Sequence, residues 1–170
     1  MKSNLRFAPI AFVALLGLGL AGCGQQEQAA APAQAEKVQL VAPTDASNER
    51  EWRTYLVEVV KQNMPEKLRS QPFMYYLPTS AREDFQGEYE RQLDNVAGTV
   101  ARGVLPGNML AFGSPESAKM ADLIVEAFAE ASSGSFNEVR VLFIGKPEDS
   151  DRVAQAVAAS GAEYVFVEAK

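Results

Sequence analysis

Five side chains of this 170-residue sequence stand where chemistry would be done: Ser80, Ser114, Glu116, Lys146 and Glu148. Four of them belong to two near copies, Met109-Leu110-Ala111-Phe112-Gly113-Ser114-Pro115-Glu116 and Val141-Leu142-Phe143-Ile144-Gly145-Lys146-Pro147-Glu148, offset by 32 residues. Each copy is an apolar run that stops at Gly-x-Pro-Glu, the pattern of a strand running into a helix, so the offset reads as one βα unit used twice. In an open parallel sheet a ligand lies beyond the carboxyl ends of the strands, which makes Ser80, Gly113, Ser114, Gly145 and Lys146 the positions that would line a crevice. Glu116 and Glu148 occupy equivalent places in neighbouring units, and two carboxylates set apart in that way support acid/base work on a sugar. Lys146 is the one cation in the row, and a lysine acts as a Schiff base or general base only where burial lowers its pKa.

The same residues have a simpler use. Gly-x-Pro-Glu lacks the glycines that let a backbone approach a pyrophosphate, and acids fill the first turns (Glu116; Glu148, Asp149 and Asp151). Those carboxylates complement the positive helix ends and repel a phosphate placed there. Self-capped helix ends therefore explain the motif without a ligand. Ser133-Gly134-Ser135 is no nucleophile elbow either, since that serine must sit at a strand-to-helix turn and this one follows a helix. With no histidine and one cysteine, the chain forms no Ser-His-Asp or Cys-His pair, no zinc site of the usual ligands and no internal disulfide. No metal or cofactor is called for. Sixteen basic residues face 22 acidic ones, a net charge of −6, with no Lys/Arg cluster to neutralise phosphates, so nucleic acid is excluded as a partner.

The sole cysteine has a different context. Residues 1–6 carry Lys2 and Arg6, and residues 7–20 are an apolar run of 14, the layout of a secretory signal. That run is shorter than the ~20 residues a spanning helix needs. Leu20-Ala21-Gly22-Cys23 follows directly and resembles the lipobox of bacterial lipoproteins at all four positions. The resemblance implies removal of residues 1–22 as a signal peptide, a diacylglycerol on the Cys23 thiol and acylation, palmitate among the acyl groups, of the new amine. Two or three acyl chains, at ~0.8 kcal/mol per buried CH₂, anchor stably where one would be marginal. It further implies the outer membrane, facing the periplasm, because Gly24 rather than an inner-membrane-retaining aspartate follows the cysteine. Loss of residues 1–22 leaves 14 basic against 22 acidic residues, net −8.

Residues 23–47 then read as the lipidated cysteine and a tether, since residues 25–36 are almost entirely Gln, Ala, Pro and Glu. A flexible chain of ~24 residues averages ~27 Å end to end. Val38-Gln39-Leu40-Val41 offers a short edge strand before Pro43 stops it.

From residue 48 to 170 the pattern is that of a single α/β domain: three layers, a mostly parallel sheet of about four strands built from repeated βα units, and an amphipathic helix in front. Asn48 with Glu51 has capping-box spacing, and Trp52, Tyr55, Leu56, Val59 and Val60 form the apolar face of a helix ending before Pro65. Helical spacing makes Trp52 and Tyr55 core residues rather than an aromatic ligand platform. Residues 73–77 are a strand flanked by prolines. Ser80 and Glu83 form a capping box for a long helix carrying Phe85, Tyr89, Leu93, Val96 and Val100, closed by Gly103 and Pro106-Gly107. Residues 108–112 are a strand, with Ser114 as N-cap and Pro115 at the first position of a helix to 132. Residues 139–144 are a strand covered on both faces, 147–160 the last helix and 164–168 the last strand.

The resulting expectation is a binding or interaction module: an accessory or assembly lipoprotein of an envelope system, or a protein that blocks an incoming toxin. Its partners are the membrane, through the lipid, and an envelope protein. The alternative is a small-molecule-binding or hydrolytic envelope enzyme working in the strand-end crevice.

Overall fold

Three strand-helix repeats and a closing strand generate the architecture, in a computed structural model that describes residues 39–170. In chain order the elements are α1 (Glu49–Gln62), β1 (Phe73–Tyr76), α2 (Phe85–Arg102), β2 (Met109–Gly113), α3 (Ser117–Phe128), β3 (Arg140–Gly145), α4 (Pro147–Ala158) and β4 (Glu163–Glu168). All four strands are parallel and lie in the order β1-β2-β3-β4, with Phe73 level with Leu110, Leu110 with Val141, and Val141 with Tyr164.

Each crossover helix carries the chain one strand further in the same direction, so the three helices share a face. There α2, α3 and α4 bury Leu110, Phe112, Val141 and Phe143. The alternate residues Met109, Ala111, Leu142 and Ile144 point the other way, onto α1. The sheet is thus sandwiched, which is why β3 reads as an unbroken apolar run. Helix α3 packs between α2 and α4, and seven of its residues are buried: Ser117, Met120, Ala121, Leu123, Ile124, Ala127 and Phe128.

Helix α1 forms where its cap and stripe require. The Asn48 side chain accepts from the Glu51 N–H at 3.3 Å, and Trp52, Tyr55, Leu56, Val59 and Val60 are all buried. Trp52 and Tyr55 meet edge to face at 5.8 Å, inside the core rather than on a platform. At the other end of the chain α4 has Pro147 at its start, and Gly161 follows it with φ 78°, a left-handed turn that glycine enters without penalty.

Three local expectations are corrected. Helix α2 starts at Phe85, so the Ser80–Glu83 capping box does not form. Helix α3 runs only from Ser117 to Phe128, because Ser114 and Pro115 belong to the preceding turn and Ala129 to Val139 form a separate loop anchored by buried Phe136 and Val139. No strand forms at residues 39–41; instead the Ala42 N–H bonds to the Lys170 carbonyl, and Leu40 and Ala42 pack on the α1 side of the sheet. Trp52 Nε1 donates to the Asp45 carbonyl at 3.1 Å, so the folded unit takes in residues ahead of Asn48. The signal segment, Cys23 and the tether to residue 38 lie outside the described residues. No helix among the described residues is long and apolar enough to cross a membrane.

Candidate functional site at the strand ends

A crevice in a parallel sheet opens where the strand order reverses, because adjacent crossovers then leave on opposite faces. The order β1-β2-β3-β4 contains no reversal, so the crossovers do not part at the strand ends. What occupies those ends is a set of polar contacts between neighbouring units.

Ser114, at 2% exposure, donates from Oγ to the Leu77 carbonyl at 3.0 Å and accepts from the Glu116 N–H at 2.9 Å. The first bond ties the end of β2 to the end of β1. The second is a local serine turn that sits ahead of α3 rather than capping it.

Glu116 turns toward the β1 side. One oxygen, Oε1, accepts from Ser80 Oγ at 2.7 Å, the Ser80 N–H at 2.9 Å and Thr79 Oγ1 at 3.1 Å. The Ser80 hydroxyl bond, followed by the Ser80 N–H bond, holds this carboxyl below its ordinary pKa against a smaller opposing desolvation. A general base is most effective with a pKa near the working pH, so a depressed carboxylate activates Ser80 poorly as a nucleophile.

Lys146 and Glu148 are exposed. The Lys146 N–H donates to Ser117 Oγ at 2.8 Å, but neither side chain has a hydrogen bond or ion pair among the described residues. With Glu116 committed to Ser80 and Thr79, and Glu148 free in the first turn of α4, the two carboxylates do not form a facing pair. The predicted residues therefore separate into Ser80 with Glu116, Ser114 with Lys146, and Glu148 alone. The second pair lines a cavity of about 290 Å³ with Ser117, Gly145, Trp52 and Lys170, over which residues 42–46 pass.

The glycines of the two motifs answer to packing. A Cβ on Gly113 would strike the Leu56 methyl groups from α1, and one on Gly145 would sit 2.5 Å from Phe143 Cζ and 2.6 Å from Ser117 Oγ. Side chains, not a phosphate, fill the space the glycines leave.

One further cluster lies outside the residues that the sequence singles out. Ser117 Oγ donates to Asp149 Oδ2 at 2.6 Å, and Arg152 places Nε at 3.1 Å and an Nη at 2.8 Å from Asp149 Oδ1. The same guanidinium reaches Asp122 Oδ1 at 2.5 Å and the Ala118 carbonyl at 2.8 Å, clamping α4 to α3. Asp149 is 6% exposed, with both oxygens taken by donors. Its i,i+3 spacing to Arg152 was a signal of this pair. The bond to Ser117, which is 32 residues away, needs the stacking of α3 on α4.

Among the described residues no group of His, Cys, Asp or Glu is placed to hold a metal ion. The strand ends thus offer hydrogen bonds already made, a small cavity and the exposed charges of Lys146 and Glu148, beside the Glu168–Lys170 ion pair at the end of β4. No protein-family model matches the chain, and comparison with curated proteins and with solved structures finds no match.

Proposed function

We propose that this chain is a lipid-anchored protein of the bacterial cell envelope, held in the outer membrane and facing the periplasm, whose α/β domain works as a binding module for an envelope protein. The lipobox-like Leu20-Ala21-Gly22-Cys23, with Gly24 after it and a Gln/Ala/Pro/Glu tether behind it, supports the anchoring and the reach. One observation carries binding over catalysis: the strand-end hydroxyls and carboxylates are hydrogen-bonded to one another, with Glu116 held by Ser80 and Thr79 and Asp149 by Ser117 and Arg152. A working acid/base pair needs groups aimed at a substrate with pKa values moved toward neutrality, whereas Glu116 is moved away.

The tests are a labelling and a capture. Metabolic incorporation of an acyl analogue is expected to mark the wild type and not Cys23→Ala; equal labelling of both would remove the anchor. Tagged protein purified from solubilised envelope is expected to carry a discrete partner in near-stoichiometric amount. Its absence would remove the module.

The second reading, a small-molecule or hydrolytic enzyme, is favoured by the cavity beside Ser114 and Lys146. At about 290 Å³ it lies at the lower limit of ligand sites. Loss of function in Lys146→Ala at unchanged stability would establish that reading.

A further inference from the structure

Six large apolar residues are exposed among the described ones; two of them, Phe73 (45%) and Leu105 (63%), line one groove, and a third, Met74 (41%), follows Phe73 in β1 and faces the other side of the sheet. Phe73 and Leu105 wall a groove of about 490 Å³ that also receives Arg69 and Arg102. Neither guanidinium has a carboxylate partner among the described residues; Arg102 makes only a 3.4 Å contact with Thr99 Oγ1. In a chain with 22 acids against 16 bases, two uncompensated arginines beside exposed apolar side chains are a local reversal of the surface charge.

The groove borders an open sheet edge. β1 is an outer strand, and Gln92 Nε2 donates to the Tyr76 carbonyl at 3.1 Å, which places that carbonyl on the side away from β2. Strand alternation then turns the Met74 N–H and C=O to the same side, where no turn or loop backbone of the described residues bonds to them. Phe73 shares the parity of Tyr75 and faces the α2 layer, while Met74 shares that of Tyr76 and faces the α1 layer. A strand added at this edge therefore meets one apolar side chain on each face, with two cations on the Phe73 side.

We propose that the β1 edge and the Arg69–Arg102 groove form a docking site for an extended, acidic and apolar protein segment, which pairs its backbone with Met74, covers Phe73 and Leu105 with an apolar side chain, and places a carboxylate between the two arginines. This deepens the binding-module reading and rests on it. Charge selects the occupant. A second copy adding its own β1 across a two-fold axis would bring both pairs of arginines together, so self-association at this edge is opposed. A partner strand with an apolar residue flanked by carboxylates two positions to either side places all three on the groove face, the apolar one over Phe73 and Leu105, and the residues between them fall on Met74.

The probe is a capped, fluorescein-labelled peptide, threonine-glutamate-valine-valine-valine-glutamate-threonine, whose pattern fits the edge in either direction. It is titrated by anisotropy against the full chain in detergent micelles. Its twin carrying lysine for glutamate, and a version N-methylated at alternate amides so that it cannot pair with an edge, serve as controls. The acidic peptide is expected to bind, with both controls and the Arg102→Glu and Arg69→Glu proteins weaker by about tenfold or more. Lys119→Glu, the same charge change on exposed Lys119 of α3, is expected to bind as wild type, and unchanged thermal melts show that all variants are folded. Absence of binding by the acidic peptide, equal binding of the lysine twin, indifference to Arg102→Glu, or β1-mediated dimers without peptide would each overturn the proposal. An envelope partner captured equally by wild type and Arg69→Glu/Arg102→Glu would also overturn it while leaving the module intact; no partner with wild type would remove the module itself.

Discussion

At Glu116 one carboxylate oxygen takes three donors, from Thr79 and Ser80, and the residue thereby fastens the β1–α2 turn to the β2–α3 turn. Because its folded-state pKa lies below the ordinary 4.5, the folded protein releases this proton more readily than the unfolded chain. The stabilisation is therefore complete above the unfolded value and is lost as pH falls through the folded one. Glu116→Gln keeps the acceptor and removes the charge, so it should cost about 1 kcal/mol at neutral pH and little once the wild-type carboxyl is protonated. Melting temperatures of the two proteins, measured from about pH 7 down to about pH 3, should converge. A constant gap across that range would show that the charge of Glu116 contributes nothing.

Among the elements, α1 and the four strands followed directly from period and punctuation, since their stripes and apolar runs face layers that any α/β arrangement supplies. The starts of α2 and α3 did not. Ser80 has the spacing to cap α2 and Ser114 the place to cap α3, yet Ser80 bonds Glu116 and Ser114 bonds the Leu77 carbonyl. Both competing partners come from the neighbouring βα unit, at 36 and 37 residues' distance, and local pattern contains no record of which unit lies alongside. The glycines were legible as turn positions but not by cause. Gly145→Ala forces a methyl against Phe143 and Ser117 and should destabilise by about 1–3 kcal/mol. Gly87→Ala, inside α2, meets only the end of the flexible Arg91 side chain at 3.2 Å and should stabilise by about 0.5–1 kcal/mol. Chemical denaturation of the pair checks both signs, and destabilisation by Gly87→Ala would contradict the distinction between helix interior and packed strand end.

For the whole molecule, the strand order decides more than any side chain does. A sheet that advances one strand at a time puts three helices on one face, leaves the other to α1, and forms no switch-point crevice. Sequence spacing revealed the repeats but not the direction of each step, which is why strand-end residues were read as one crevice. The limit of the fold was hidden for a similar reason: residues 39–47 look like the end of a tether, but Leu40 and Ala42 pack on the α1 side and Asp45 receives the Trp52 indole. A protein beginning at residue 48 should therefore be less stable than one beginning at residue 37 by about 2 kcal/mol, a few degrees in Tm. Equal melting temperatures would return those residues to the tether.

The function proposed for this domain is binding of a protein partner, with no catalytic use of its strand ends. In-cell cross-linking of the tagged full chain tests it most directly, comparing wild type, Lys146→Ala/Glu148→Ala and Arg69→Glu/Arg102→Glu. One discrete cross-linked partner is expected with wild type, kept in full by the strand-end variant and lost from the groove variant. No discrete partner with wild type, or a partner that disappears only when Lys146 and Glu148 are replaced, would contradict it.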